Sequence, residues 1–182
     1  MKRMVLVLVA GTLLVLGGVA FAASNHTLTL VVNSFGLVNL NPGANVTLTL
    51  DGTGVTAGDS VITASHNTNW IQYTFVTVAG ASTVNVAMSA GVAIPVWLTL
   101  TVTAANPAAG GAGVKGSGST QNLVPGAAAV GLITGIGSCY TGSTASVNGS
   151  QLTYTLTIIP ASIGSAVPIN QGPYTVTYTV TP

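Results

Sequence analysis

Apolar and polar residues alternate along several short stretches of the chain, and the last stretch is the most regular. Tyr174, Val176, Tyr178 and Val180 occupy alternate positions, and threonine occupies the positions between and after them. Side chains on a β-strand point to opposite faces in turn, so this stretch predicts a strand with one apolar face and one hydroxyl face. The residue types agree, because β-branched and aromatic side chains suit a pleated, half-buried surface.

The same alternation predicts a series of shorter strands upstream, separated by Gly, Pro and Asn turn signals. These predicted strands cover residues 27–32, 46–50, 61–64, 70–78, 84–88, 96–103, 130–136 and 152–158. No stretch of about ten residues combines helical spacing with caps. A set of about eight to ten strands with turns between them predicts an all-β fold, an Ig-like or jelly-roll-like antiparallel β-sandwich.

The domain organisation follows from two changes in composition. Residues 106–119 are rich in glycine and contain Lys115, which predicts a flexible loop or a linker. The flanking halves look too small to be separate sandwiches, which favours a loop within one sandwich domain that spans residues 34–182. Residues 23–33 precede that domain and carry the first predicted strand. The chain has 182 residues, which is enough for one domain with a sizeable core.

The N-terminus has the pattern of a secretory signal. Lys2 and Arg3 precede an apolar run that ends near Phe21, and small residues flank a cleavage position after Ala22. We therefore expect residues 1–22 to be removed and the mature chain to be secreted, extracellular or at the cell surface. The alternative is an uncleaved N-terminal anchor. After residue 22 no apolar run reaches the roughly 18 residues that a membrane-spanning helix needs.

Charge is nearly absent, and this excludes whole classes of function. Charged residues make up 3% of the chain, against about 25% in an ordinary domain. Without the leader, Lys115 stands against Asp51 and Asp59, which leaves one net negative charge. Such a surface cannot neutralise phosphates, so nucleic acid is not an expected partner. It also lacks the net charge that keeps monomers apart in solution.

The residues that usually carry catalysis or bind metals are few and scattered. His26 and His66 have no second ligand at metal spacing, and turn or surface positions explain them better. Asp51 and Asp59 bracket a glycine-rich stretch that has too few carboxylates for a calcium loop. Cys139 is the only cysteine, and a buried structural residue explains it better than a reactive thiol or an intermolecular link. We predict no enzymatic activity, no metal and no cofactor.

Three Asn-X-Ser/Thr sequons begin at Asn25, Asn45 and Asn148. Each is a candidate N-glycan acceptor on a secreted chain. The motif occurs by chance in a sequence rich in Asn and Thr, but attached sugars would help to solubilise a surface with almost no charge.

Clean terminal strands suggest that strand edges are used for assembly. Soluble proteins usually protect such edges with lysine, proline or bulges, and here lysine is almost absent. The ending Gly172–Pro182, the leader and the Thr-, Val- and Gly-rich mature chain together resemble secreted fimbrial subunits. The ending is similar to the terminal pattern of spore-coat-U-like chaperone–usher pilins, and the low charge and sequons are similar to subunits of archaeal pili and biofilm-matrix fibres.

The resemblance implies a structural filament subunit that assembles head to tail with copies of itself. In those families the N-terminal segment of one subunit completes the sandwich of its neighbour, which implies Leu28, Leu30 and Val32 as the donated side chains. An assembly chaperone or self-assembly would be the route. The chain departs from the pilin pattern in two ways: Cys139 has no partner for a disulfide, and Thr181 stands where tyrosine is frequent.

The alternative function is a monomeric adhesin or a carbohydrate-binding sandwich module at the cell surface. Trp70, Tyr73 and Trp97 would then form an exposed aromatic platform for a sugar. Each of the three lies within a strand pattern, however, which favours positions in the core.

Overall fold

The computed structural model describes residues 27–77, 80–144 and 148–182, and this part of the chain is almost entirely β-structure. A 3-10 helix covers Pro160–Ser165. The strands are β1 (Phe35–Asn41), β2 (Ile62–His66), β3 (Trp70–Val76), β4 (Ser82–Met88), β5 (Leu98–Ala104), β6 (Ala112–Gly118), β7 (Thr120–Asn122), β8 (Val130–Tyr140), β9 (Ser150–Ile158) and β10 (Val176–Thr181).

The strands form antiparallel ladders in two groups. In the first group β10 pairs with β4, β4 with β8 and β8 with β3, while β1 adds to β3 and β6 adds to β8. In the second group the order is β2–β9–β5–β7. A short ladder between β3 and β9, with Trp70 opposite Gln151, joins the two groups. The predicted all-β, antiparallel, sandwich-like fold is confirmed.

The core draws apolar residues from both groups of strands, as strand alternation requires. The β4 residues Val84, Val86 and Met88 are buried, and the residues between them are half-buried. On β9, Leu152 and Tyr154 are buried in the same way. The two kinds of position therefore separate into a core face and an outer face.

The polar positions of the second group form matched rows of hydroxyl groups. In the ladder between β5 and β9, Thr99 lies opposite Thr157, Thr101 opposite Thr155, and Thr103 opposite Thr153. The alternation predicted for both strands is therefore present, with threonine on the outer face.

The chain divides into two compact units, residues 1–32 and 33–182. Of the first unit the structure describes residues 27–32, which have no regular secondary structure, so the predicted strand there is wrong for the isolated chain. The first strand is instead Phe35–Asn41, because this stretch finds a ladder partner in β3. The predicted signal at 1–22 lies outside the described residues.

The stretch from Val46 to Leu50 belongs to no ladder and has no regular secondary structure. The predicted alternation of buried and exposed side chains is present: Val46, Leu48 and Leu50 are half-buried, and Thr47 and Thr49 are exposed. Val46 and Leu48 pack against the core. The prediction of a strand is therefore wrong in hydrogen bonding and right in the direction of the side chains.

The predicted glycine-rich loop at 106–119 is wrong for its second part, because Ala112–Gly118 forms β6 against β8, whereas residues 106–111 form no strand or helix. The glycines allow this strand to approach its neighbour closely. A Cβ atom added to Gly113 would lie 2.1 Å from the carbonyl oxygen of Ser138, and the φ of Gly113 is +88°. The remaining predicted strands are present with shifted ends, and the short strand β7 was not predicted.

Candidate functional site: a groove between the first and last strands

The first and last strands of the described domain each have an unpaired edge. Within the described residues β1 pairs only with β3, and β10 pairs only with β4. Each strand therefore presents a row of backbone N–H and C=O groups that no ladder uses. Such a row is a template for the addition of another strand.

A groove with a volume of about 270 Å³ lies between these two strands. Val38 and Leu40 of β1 form one wall, and Val176 and Tyr178 of β10 form the other. Ile71 of β3 lies at its base and is fully buried. Two polar residues, one on each strand, complete the lining: Asn39 and Thr177. The groove is therefore lined mainly by apolar side chains and lies between two strands that each have an unpaired edge, and an extended peptide can use both features.

The strands β1 and β10 run in opposite directions along the groove. Near its closed end, a Cβ added to Gly36 would lie 3.2 Å from Cγ2 of Val180. Farther along, later residues of β1 line the groove together with earlier residues of β10. A strand placed between them would be parallel to one neighbour and antiparallel to the other.

A pair of tyrosines lies beside the groove. The hydroxyl oxygens of Tyr178 and Tyr154 are 2.6 Å apart. Burial, followed by the neighbouring Tyr154, raises the pKa of the Tyr178 phenol well above its ordinary value of 10.0. Burial also raises the pKa of Tyr154, against the opposite effect of its hydrogen bond to Tyr178. The pair therefore holds the β10 wall against β9 while both hydroxyl groups are protonated.

We expect the domain to lose stability as the pH rises above 10. Tyr178 in the unfolded chain ionises near 10.0, whereas folded Tyr178 keeps its proton, so the unfolded state binds fewer protons and is favoured. Tyr178→Phe should make this decline shallower, and urea unfolding midpoints between about pH 8 and 11 would measure it. Tyr140→Phe, which removes a phenol from an exposed position, is the matched control for the loss of a tyrosine hydroxyl.

The edge of β6 is protected, in contrast to the groove edges. The register shifts between Gly113 and Lys115, and such a bulge twists an edge away from a partner. The Lys115 ammonium donates hydrogen bonds to the carbonyl oxygens of Ala108 and Gly110, and this holds the preceding loop beside the strand. The other edge strands, β2 and β7, are only five and three residues long.

A second groove, of about 320 Å³, lies between residues 91–100 and 122–125. Its backbone is already bonded: the N–H of Leu98 donates to Pro95, and the N–H of Leu123 donates to Leu100. This groove therefore has no free strand edge along its walls at these positions, and it is a weaker candidate for peptide binding.

The structure places the predicted strand residues as follows. Leu28, Leu30 and Val32 are 74%, 83% and 79% exposed, respectively. Val176, Tyr178 and Val180 lie on β10 with their side chains turned inward, as predicted. Tyr174 precedes the strand, and its hydroxyl group donates a hydrogen bond to the carbonyl oxygen of Val92. Sequence reasoning missed β1, although the alternation of Val38 and Leu40 was a usable signal.

The three sequons differ in presentation. Asn45 is exposed, whereas Asn148 is half-buried and is followed by the buried Ser150. Asn25 lies outside the described residues.

The proposed aromatic platform is absent. Tyr73 is 3% exposed and Trp97 is 8% exposed, so both belong to the interior, and Trp70 is half-buried. Tyr73 donates a hydrogen bond to the carbonyl oxygen of Lys115 at 2.6 Å. The prediction that these aromatic residues are structural is confirmed for Tyr73 and Trp97.

The remaining candidate residues lie apart from one another. Cys139 is buried, and burial raises the pKa of its thiol. Hydrogen bonds from Thr53 lower the pKa of the exposed Asp51. Asp59 accepts a hydrogen bond from the backbone N–H of Thr56 within the same loop. The described residues contain no group of three or more His, Cys, Asp or Glu placed to hold a metal. His26 lies outside them.

Comparison with family models, curated proteins and solved structures found no match for this chain. In the part of the chain that the structure describes, no helix has the length and apolar character to cross a membrane.

Proposed function

We propose that this chain is the structural subunit of an extracellular filament, in which copies join head to tail by β-strand donation. One observation carries the proposal: the first and last strands of the described domain flank an apolar groove, and each has a backbone edge that no ladder uses. A strand that enters this groove would hydrogen-bond on both sides and bury its alternate side chains.

The chain carries a segment with the right pattern for that role. Leu28, Leu30 and Val32 occupy alternate positions, so all three point to one side of an extended strand. They are largely exposed in the isolated chain, and residues 27–32 form no regular secondary structure there. The segment is therefore available to a second copy of the same chain.

Side-chain burial and backbone pairing would both contribute to the binding energy. Full burial of one such side chain contributes roughly 1.5–3 kcal/mol, so three contribute about 5–9 kcal/mol before association costs. Backbone hydrogen bonds along two edges add to this total. A micromolar contact corresponds to about 8 kcal/mol of net binding free energy, so side-chain burial and backbone pairing together must exceed this value by the cost of association.

The proposal includes export through the leader at 1–22 and assembly outside the cell. A donated strand leaves each subunit with one used groove and one free donor segment, so the contact does not close on itself and grows a filament. The scarcity of charge supports this role, because a nearly uncharged surface does little to keep subunits apart.

Deletion of residues 24–33 tests the proposal. We expect the intact chain to form filaments visible by electron microscopy, and the deletion variant to remain monomeric by sedimentation. A synthetic peptide of residues 24–33 should then bind the deletion variant and raise its melting temperature. Filaments that persist after the deletion would contradict strand donation, and an intact chain that stays monomeric at every concentration would contradict filament assembly.

A further inference from the structure

We infer that Asn45 is an N-glycosylation site that can be modified in the folded protein, and that Asn148 is closed to modification once the domain has folded. The inference concerns modification alone and does not rest on the proposed function. Both asparagines begin sequons, so the primary sequence cannot separate them. The two sequons differ in solvent exposure and in backbone hydrogen bonding.

The sequon at Asn45 is open to solvent. The side chains of Asn45 and Thr47 are both exposed, while Val46 between them is half-buried. Exposure thus alternates along the sequon, and the amide and the hydroxyl that a transferase must recognise are both on the solvent side. Among the described residues, no backbone hydrogen bond holds residues 45–50.

Few interactions hold residues 45–50 on the domain, so a transferase could detach this segment without unfolding the rest of the structure. The side chain of Asn69 donates a hydrogen bond to the carbonyl oxygen of Ala44 at 3.1 Å. Beyond that point the segment is held by the packing of Val46 and Leu48 against the core. Segments with few backbone hydrogen bonds and partial burial belong to the low-stability end of a fold and open most often.

The sequon at Asn148 is locked into the sheet. Ser150, whose hydroxyl the transferase would need, is fully buried and lies opposite Ile71 in the ladder between β3 and β9. The carbonyl oxygen of Gly149 accepts a hydrogen bond from Ala108. A Cβ at Gly142 would lie 2.7 Å from Nδ2 of Asn148, so that amide packs against the neighbouring backbone. Modification there requires the start of β9 to leave the sheet.

The reaction is the transfer of an oligosaccharide from a polyprenyl-diphosphate carrier. Nδ2 of Asn45 forms a bond to C1 of the first sugar and loses one proton, while the bond from C1 to the diphosphate oxygen breaks. The products are the glycosylated asparagine and free polyprenyl diphosphate. The co-substrate is a lipid-linked oligosaccharide, and no oxidant or reductant is involved.

The test uses the folded full chain with Asn25→Gln, a purified oligosaccharyltransferase and a lipid-linked oligosaccharide. Synthetic peptides that span residues 42–50 and 145–153 give the intrinsic rate at each sequon, and mass spectrometry locates the glycan. We expect Asn45 in the folded chain to react within about tenfold of its peptide, and Asn148 to react at least roughly 100-fold more slowly than its peptide.

Two variants make the assignment specific. Thr47→Ala should abolish modification of the folded chain, and Thr47→Ser should retain it, because only the hydroxyl is needed. The inference is overturned if Asn148 reacts in the folded chain at a rate close to that of its peptide. It is also overturned if Asn45 stays unmodified in the folded chain while its peptide reacts.

Discussion

Leu30→Asp is expected to abolish filament formation and to leave the folded domain intact. Leu30 is 83% exposed in the isolated chain, so the substitution removes no core packing. In the filament the same side chain would enter an apolar groove, where a carboxylate loses its hydration without gaining a partner. That penalty is several kcal/mol, which corresponds to a loss of affinity between subunits of at least about 1,000-fold. Sedimentation over a range of concentrations would measure it.

Thr29→Asp is the matched control for this experiment. It adds the same charge one position away, on the opposite side of an extended strand, where the side chain faces outward. We expect this variant to assemble at concentrations close to those of the unmodified chain. Equal loss of assembly in both variants would indicate a general effect of charge, and assembly of Leu30→Asp at normal concentrations would remove this residue from the contact.

Phe75→Ala is expected to cost about 3–5 kcal/mol of stability, a large share of the 5–15 kcal/mol typical of a domain. Phe75 is 1% exposed, and its ring lies edge-on to Tyr73 with 5.9 Å between the ring centroids. A Cβ at Gly36 would lie 2.7 Å from Cε1 of this ring and 3.2 Å from Val180. The ring therefore packs beneath the place where β1 and β10 meet. Urea unfolding would measure the loss of unfolding free energy in Phe75→Ala.

Phe35→Ala makes the same chemical change at an exposed position of β1. Surface substitutions usually alter stability by no more than about 0.5 kcal/mol, so the two alanine variants should differ clearly. A small effect of Phe75→Ala would show that the core closes over the lost ring. We also expect Phe75→Ala to weaken assembly at temperatures where the domain stays folded, because the groove loses support from below.

The ends of the chain show where sequence patterns are sufficient and where they are not. β10 was predicted correctly, because its alternation matches a strand with one covered face. Residues 27–32 and 35–41 both alternate, so periodicity alone could not decide which of them would pair. The decision depends on β3, whose edge accepts Phe35–Asn41 over seven residue pairs. Pairing between distant strands is a tertiary property that local patterns do not contain.

Glycine was the other source of error. Residues 112–118 contain three glycines and one lysine, a composition that usually indicates a loop. They form β6 because glycine, which has no Cβ atom, allows a close approach to β8. A Cβ atom at Gly113 would collide with the backbone of β8. The segment from Val46 to Leu50 presents the reverse case, since it has the residues of a strand and no ladder. The sequence shows which side chains suit the half-buried surface of a strand. Whether a neighbouring strand is available for backbone hydrogen bonds depends on the topology of the fold.

The groove itself could be predicted only in part. The apolar face of the last strand and the apolar N-terminal segment were both visible in the pattern. The identity of the second wall, formed by Val38 and Leu40, was not, because it requires β1 to lie beside β10. The buried positions of Tyr73 and Trp97 agree with the pattern, and they remove the main residues that a sugar-binding surface would have used.

The opposed directions of β1 and β10 bear on how an incoming strand would choose its orientation. Whichever way such a strand enters, it meets one parallel and one antiparallel neighbour, so the backbone gains nearly the same pairing in both orientations. Orientation must then be selected by side chains, through the order of leucine, leucine and valine against the shape of the groove. The direction in which the donated strand lies in the groove would therefore be encoded in three apolar residues and not in the hydrogen-bond ladder.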